Sequence, residues 1–146
     1  GGAAGEEEAR KRHALLEVAR REGVAAMARQ WVQGMVHPAR RDDRALVDAI
    51  VAMFARKTAD IFEGQIRALL NRPDATPVLQ GLQTPVLVLC GRQDSWAPPV
   101  QHEALAALIP GQPPVQVIDD AGHMSTLEQP QAVAQALRAW RDRVAG

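Results

Sequence analysis

Cysteine is almost missing. Cys90 stands alone in the chain, which excludes an internal disulfide and fits a reducing, cytoplasmic compartment. No apolar run approaches the roughly 18 residues of a membrane-spanning helix, so no membrane partner is expected. Net charge is missing too. Seventeen Lys and Arg balance seventeen Asp and Glu, leaving no excess of either sign to attract nucleic acid or an anionic membrane surface. The opening GGAAGEEEARKR carries no apolar stretch after its charges and so does not read as a signal peptide. No internal repeat or low-complexity segment stands out. What remains is 146 residues, 47% hydrophobic and 23% charged, a composition able to bury a core of its own.

The chain reads in two parts. From Glu6 to about Arg72 the apolar residues recur at helical spacing. Glu6, Glu7 and Glu8 precede Arg10, Lys11 and Arg12, an order that suits a helix dipole. Leu15, Leu16 and Val18 begin an apolar face, and Gly23 interrupts it. A second helix is expected to carry Val24, Met27, Ala28, Trp31, Val32 and Met35, ending before Pro38. Asp42 or Asp43 can cap a third, with Leu46, Val47, Ile50, Val51 and Phe54 on one face. Thr58 can cap a fourth, with Ile61, Phe62, Ile66, Leu69 and Leu70.

From about Thr76 the pattern changes. TPVLVLCG, residues 84–91, is β-branched and apolar without alternation, as expected of a strand covered on both faces. Pro98 and Pro99 open a helix that Pro110 and Gly111 stop, and PVQVID at 114–119 is a second strand. Pro130 opens a last helix, with Val133, Leu137, Trp140 and Val144 expected to face inward. Strand, helix, strand, helix is the signature of an α/β fold with two parallel strands joined by a right-handed crossover.

Chemistry in such sheets gathers at the carboxyl ends of the strands. Asp94 follows the first strand and His123 the second, one crossover unit apart. An aspartate beside a histidine fixes the imidazole tautomer and stabilises the imidazolium. Taken alone, Asp94 reads as a cap of the turn in DSWAPP, and His123 as a loop histidine bonded to the backbone.

The order of motifs tips the balance. Gly91, Asp94, Pro98, Ile109-Pro110-Gly111, Gly122-His123 and Glu128-Gln129-Pro130 follow one another over some 60 residues. In that order and register they resemble the C-terminal part of the α/β-hydrolase family. The resemblance implies a partial α/β-hydrolase fold, with residues 1–75 as a helical cap and 76–146 as the C-terminal α/β segment. It implies a serine-type hydrolase of ester, lactone or similar bonds, with a small-molecule substrate and no cofactor. Asp94 would be the acid and His123 the base of a catalytic triad. The family's nucleophile sits on a G-x-S-x-G elbow ahead of both. Ser95 and Ser125 are the sole serines and neither has the flanking glycines. With no start methionine either, the expectation is that the chain is the C-terminal part of a longer enzyme and inactive alone.

Other residues carry weaker expectations. Trp96, beside the acid, and Trp31, Met35 and Phe62 on the helices are candidates for lining a substrate pocket, although helical core packing would explain the last three as well. Cys90 reads as a buried small hydrophobe rather than a nucleophile. His13, His37 and His102 have no partner at metal-ligand spacing, so no metal is expected. Glu128 is expected to support its loop or helix start. A different class of function stays open: a non-catalytic binding or assembly module. An uncovered edge at VLVLC would attract another strand, giving self-association or pairing with an N-terminal half.

Overall fold

A computed structural model describes residues 3–146. Two compact units emerge. One comprises the described residues up to Gln33 together with Asp42–Pro73, and the other comprises Gly34–Arg41 with Asp74–Gly146.

The first unit is helical. Helix α1 spans Ala3–Glu22 and α2 spans Val24–Trp31. Between them Gly23 takes φ of 95°, a left-handed conformation that glycine adopts without steric cost. Helix α3, Arg44–Ala55, starts at Asp43, whose side chain accepts from Leu46 N at 3.1 Å. Helix α4, Ala59–Leu70, starts at Thr58, whose hydroxyl accepts from Ile61 N at 3.2 Å. Each cap satisfies one amide that the first helical turn leaves without a partner. Helix α1 packs on α2 and α4, and α2 packs on α3. Leu16, Ala19, Met27, Phe62 and Ile66 form the buried cluster, flanked by Leu15, Val24 and Trp31.

Helix α2 ends four residues before the expected Met35. A 3₁₀ turn over Val32–Gly34 replaces its last turn. Gly34 is a poor helix former and here serves another contact: a Cβ on it would lie 2.7 Å from Trp96 Nε1. As a result Gly34–Arg41, inside the expected first segment, packs with the second unit.

The second unit holds the α/β arrangement. Strand β1, Val88–Gly91, pairs in parallel with β2, Val115–Ile118, in the register Val88↔Val115 to Gly91↔Ile118. Helix α6, Pro99–Leu108, joins them and packs on both. A short α7, Ser125–Glu128, leads into α8, Pro130–Ala145, which packs on β2. Pro99 and Pro130 occupy first helical positions, where a missing N–H costs nothing. Ile118, Ala121 and Val133 form the buried cluster, with Leu89, Ala132 and Ala136 against it.

Three details differ from the sequence expectation. Residues 84–87 are not strand; a short helix α5, Thr76–Gln80, and an irregular segment precede β1 instead. Within β1 only Cys90 and Gly91 are buried, while Val88 and Leu89 are half-covered. Leu137 and Val144 are each 48% exposed rather than inward-facing. The last two share a cause: the sheet has only two strands among the described residues. Helix α8 is covered near its start, through Ala132, Val133 and Ala136, and its later turns have no strand to lie on.

Candidate active site

Beyond β1 the chain turns at once. Arg92 N donates to Ile118 O at 2.9 Å and Asp94 N to Gly91 O at 3.2 Å. Beyond β2, Asp120 takes a positive φ of 55°, uncommon for a residue with a Cβ. The two loops are tied together: Gln93 N donates to Ala121 O at 2.9 Å, and Ala121 N donates to Gln93 Oε1 at 3.1 Å. Gly91 lies beneath them. A Cβ there would run into the carbonyls of Ala121 and Gly122, so this position demands glycine for close approach rather than for its dihedrals.

This joining of loops brings Asp94 to His123. His123 Nδ1 lies 2.8 Å from Asp94 Oδ2. The Asp94 side chain is 4% exposed and that of His123 40%. The other carboxylate oxygen, Oδ1, accepts from Trp96 N at 2.9 Å and Ala97 N at 3.0 Å. The turn-capping role and the histidine-pairing role of Asp94 are therefore not alternatives, since one oxygen serves each. Held by two amides, the carboxylate cannot swing away from the imidazole. An ionised carboxylate can only accept, so Nδ1 carries the proton and Nε2 presents its lone pair. Nε2 has no hydrogen bond among the described residues. Trp96 packs beside the ring, with centroids 5.0 Å apart and planes inclined by 47°.

The histidine loop is held from behind by a buried carboxylate. Glu128, its side chain fully covered, accepts from Gly122 N at 2.9 Å and from His37 N at 2.6 Å. Arg40 Nη1 reaches Glu128 at 3.5 Å and donates to Asp120 O at 2.6 Å, while Nη2 pairs with the Asp120 carboxylate at 2.7 Å. Met124 N donates to Met35 O at 3.1 Å. The sequence suggested a supporting role for Glu128, but neither Arg40 nor His37 carried any local signal of joining it.

Of the expected pocket residues, Trp96 is beside His123. Met35 is 1% exposed and contributes its carbonyl to the loop. Trp31 and Phe62 lie in the first unit with ring centroids 5.4 Å apart, and Phe62 is 4% exposed. Ser95 Oγ donates to Gly34 O at 2.9 Å, and Ser125 is buried in the first turn of α7. Cys90 is buried at the end of β1, and desolvation raises its thiol pKa, which disfavours the nucleophilic thiolate. His37 Nδ1 accepts from Ala39 N at 2.9 Å, and a ring nitrogen of His102 lies 3.3 Å from Pro98 O. Among the described residues no group of three or more His, Cys, Asp and Glu is placed to hold a metal ion, and no helix is long and apolar enough to cross a membrane.

The chain is similar to several known proteins. The 2-succinyl-6-hydroxy-2,4-cyclohexadiene-1-carboxylate synthase of Serratia proteamaculans is 33% identical over 129 residues, covering 86% of this chain and 46% of that protein. A thermophilic esterase from Thermogutta terrifontis, solved with malate bound, superposes with a TM-score of 0.81 at 32% identity, over 99% of this chain and 52% of that one. The enol-lactonase of Burkholderia xenovorans LB400 shares the fold, with a TM-score of 0.73 at 23% identity over 88% of this chain and 49% of that one. The chain thus spans about half the length of the relatives it matches. Residues 1–136 match the alpha/beta hydrolase family, and with strands, crossover and helices in the arrangement described above the chain belongs to that family as a partial α/β-hydrolase fold.

Proposed function

We propose that this chain supplies the acid and the base of a serine-type hydrolase acting on ester or lactone bonds. The observation that carries the reading is the 2.8 Å contact between His123 Nδ1 and the buried Asp94 carboxylate. Nε2 accepts the proton of a serine hydroxyl as that oxygen attacks the substrate carbonyl. It then delivers the proton to the departing alkoxide, leaving an acyl-serine. Water repeats the sequence, giving the acid and the free serine. Asp94 remains ionised throughout and stabilises the imidazolium between the two transfers.

The serine lies outside these 146 residues in this reading, on a G-x-S-x-G elbow in a segment corresponding to the other half of the relatives. The engagement of Ser95 with Gly34 and the burial of Ser125 support that. Trp96, flanking the imidazole, is the residue best placed to contact substrate. The helices of the first unit would serve as the cap.

The test begins with the coding sequence upstream of Gly1. An in-frame elbow is expected, and the protein that includes it should hydrolyse short aryl esters. His123→Ala should lower kcat by about 10⁶-fold and Asp94→Asn by about 10⁴-fold. Efficient ester hydrolysis by the 146 residues alone, lost in His123→Ala, would overturn the missing-serine account. A second reading, an assembly module without catalysis, draws on β1, which has a single strand partner among the described residues. It requires association through that edge, and a monodisperse monomer in light scattering at high concentration would count against it.

A further inference from the structure

We propose that Glu128 is a positioning residue for His123: its buried carboxylate locks the histidine loop onto Gly34–Arg41 and thereby sets the imidazole tautomer. The inference rests on the Asp94–His123 pair described above. Gly122 N–H, immediately before His123, donates to Oε2 of Glu128 at 2.9 Å. His37 N–H donates to Oε1 at 2.6 Å. One carboxylate therefore bridges main-chain amides from two distant segments. On the other side of His123, Met124 N–H donates to Met35 O at 3.1 Å. Gly122 also lies flat on the same segment: a Cβ there would sit 2.8 Å from Val36 C and 2.9 Å from His37 N. His123 is thus bracketed in sequence by two residues fixed to Met35–His37, and its ring must meet Asp94 from that fixed base.

The chemistry requires a carboxylate at 128. Both partners are main-chain donors that cannot rotate to become acceptors, and a carboxylate is the side chain that accepts at both oxygens. An amide of the same shape would set its NH₂ against one of those donors. Arg40 balances the buried charge, lying 3.5 Å from Oε1 while also holding Asp120. Glu128 touches neither Asp94 nor the reacting nitrogen, so its effect passes through the loop.

The ¹⁵N chemical shifts of the His123 ring report the tautomer directly and do not need catalytic turnover. They should be recorded on the intact 146-residue chain at a pH where the ring is neutral. The unaltered chain should hold the proton on Nδ1. Glu128→Gln, shown to be folded by circular dichroism, should move the ring toward the Nε2-protonated form, as should Asp94→Asn. Arg40→Met, which leaves both amide contacts in place, should keep the proton on Nδ1. A folded Glu128→Gln chain with the original tautomer overturns the proposal. If that variant does not fold, Glu128→Asp, too short to reach both amides, is read in its place, and an unchanged tautomer there overturns the proposal. A ring protonated on Nε2 in the unaltered chain would sink the Asp94–His123 reading itself, a failure distinct from that of Glu128.

Discussion

Each unit is held together internally by its own kind of contact. In the helical unit the buried groups are apolar, and the ion pairs lie outside. Arg20 pairs with Asp60 and Glu63, and Arg29 with Asp48, all through exposed or largely exposed side chains. In the α/β unit the apolar cluster around Ile118 and Val133 is small. Its buried side chains include Asp94, Ser125 and Glu128, and both carboxylates there are bonded to main-chain amides. A helix satisfies its own backbone, so its packing can be oily and tolerant. The loops at the strand ends cannot do so, and side chains must satisfy them. That requirement is what puts fixed polar groups at the site. The first unit is shaped by volume, the second by hydrogen-bond direction.

This contrast makes a paired prediction. Glu128→Ala leaves the Gly122 and His37 amides without their acceptor, while Arg40 keeps its pair with Asp120, and should cost about 2–6 kcal/mol. Phe62→Ala opens a cavity in the helical core and should cost a similar ~3–5 kcal/mol. The two differ in what else they change. Glu128→Ala should disturb amide resonances at residues 120–124, while Phe62→Ala should leave them in place. Urea unfolding followed by heteronuclear NMR separates the two. If Phe62→Ala moved the histidine loop as far as Glu128→Ala does, the division between the units would be wrong.

What the sequence showed divides along the same line. Asp43, Thr58, Pro99 and Pro130 could be read because a cap or a first-turn proline acts within three or four positions. The meeting of Asp94 with His123 was legible because a parallel crossover brings successive strand ends together. The Glu128 bridge was not, since His37 lies 91 positions away, and no local pattern encodes such a meeting. Nor was the pairing of Arg40 with Asp120, 80 positions apart. Leu137 and Val144 failed for another reason. Helical spacing identifies an apolar face but not whether a sheet lies under all of it, and here α8 is covered only near its start. Helix α5 escaped because TPVLQ is too short to show a period.

Gly91→Ala tests the joint between strand and loops. The added methyl would meet main-chain carbonyls of Ala121 and Gly122, which have no rotamer to yield. Overpacking of this kind costs about 1–3 kcal/mol. The loss should come with a displaced His123, seen as altered ring shifts. Full native stability in Gly91→Ala would mean that the loops are looser than their hydrogen bonds imply.

Cys90, one residue earlier, gives a gentler probe. Desolvation is the main reason its thiol pKa is raised, with the negative charges of Asp94 and Glu103 adding to it. The native state therefore keeps the thiol proton at pH values where the unfolded chain has released it. This group's contribution is intact below the unfolded thiol's pKa and is lost as pH rises toward the folded one. Iodoacetamide should label the native chain much more slowly than the urea-unfolded chain at the same pH. Equal rates would show that the end of β1 opens readily.

The smallest effect is expected where the contrast is sharpest. Arg20 bridges Asp60 and Glu63 from α1 to α4, yet its side chain is 42% exposed and that of Asp60 87%. Water and salt screen such a pair, and two long side chains lose rotamer freedom to make it. Arg20→Ala should cost less than about 1 kcal/mol, and the difference should shrink as salt is raised. Urea titrations of both chains at low and high ionic strength measure this directly. A larger, salt-independent loss would mean that the arginine stem packs over the α1–α4 seam and works through apolar burial rather than charge, placing Arg20 with Phe62 among the contacts that define the first unit by volume.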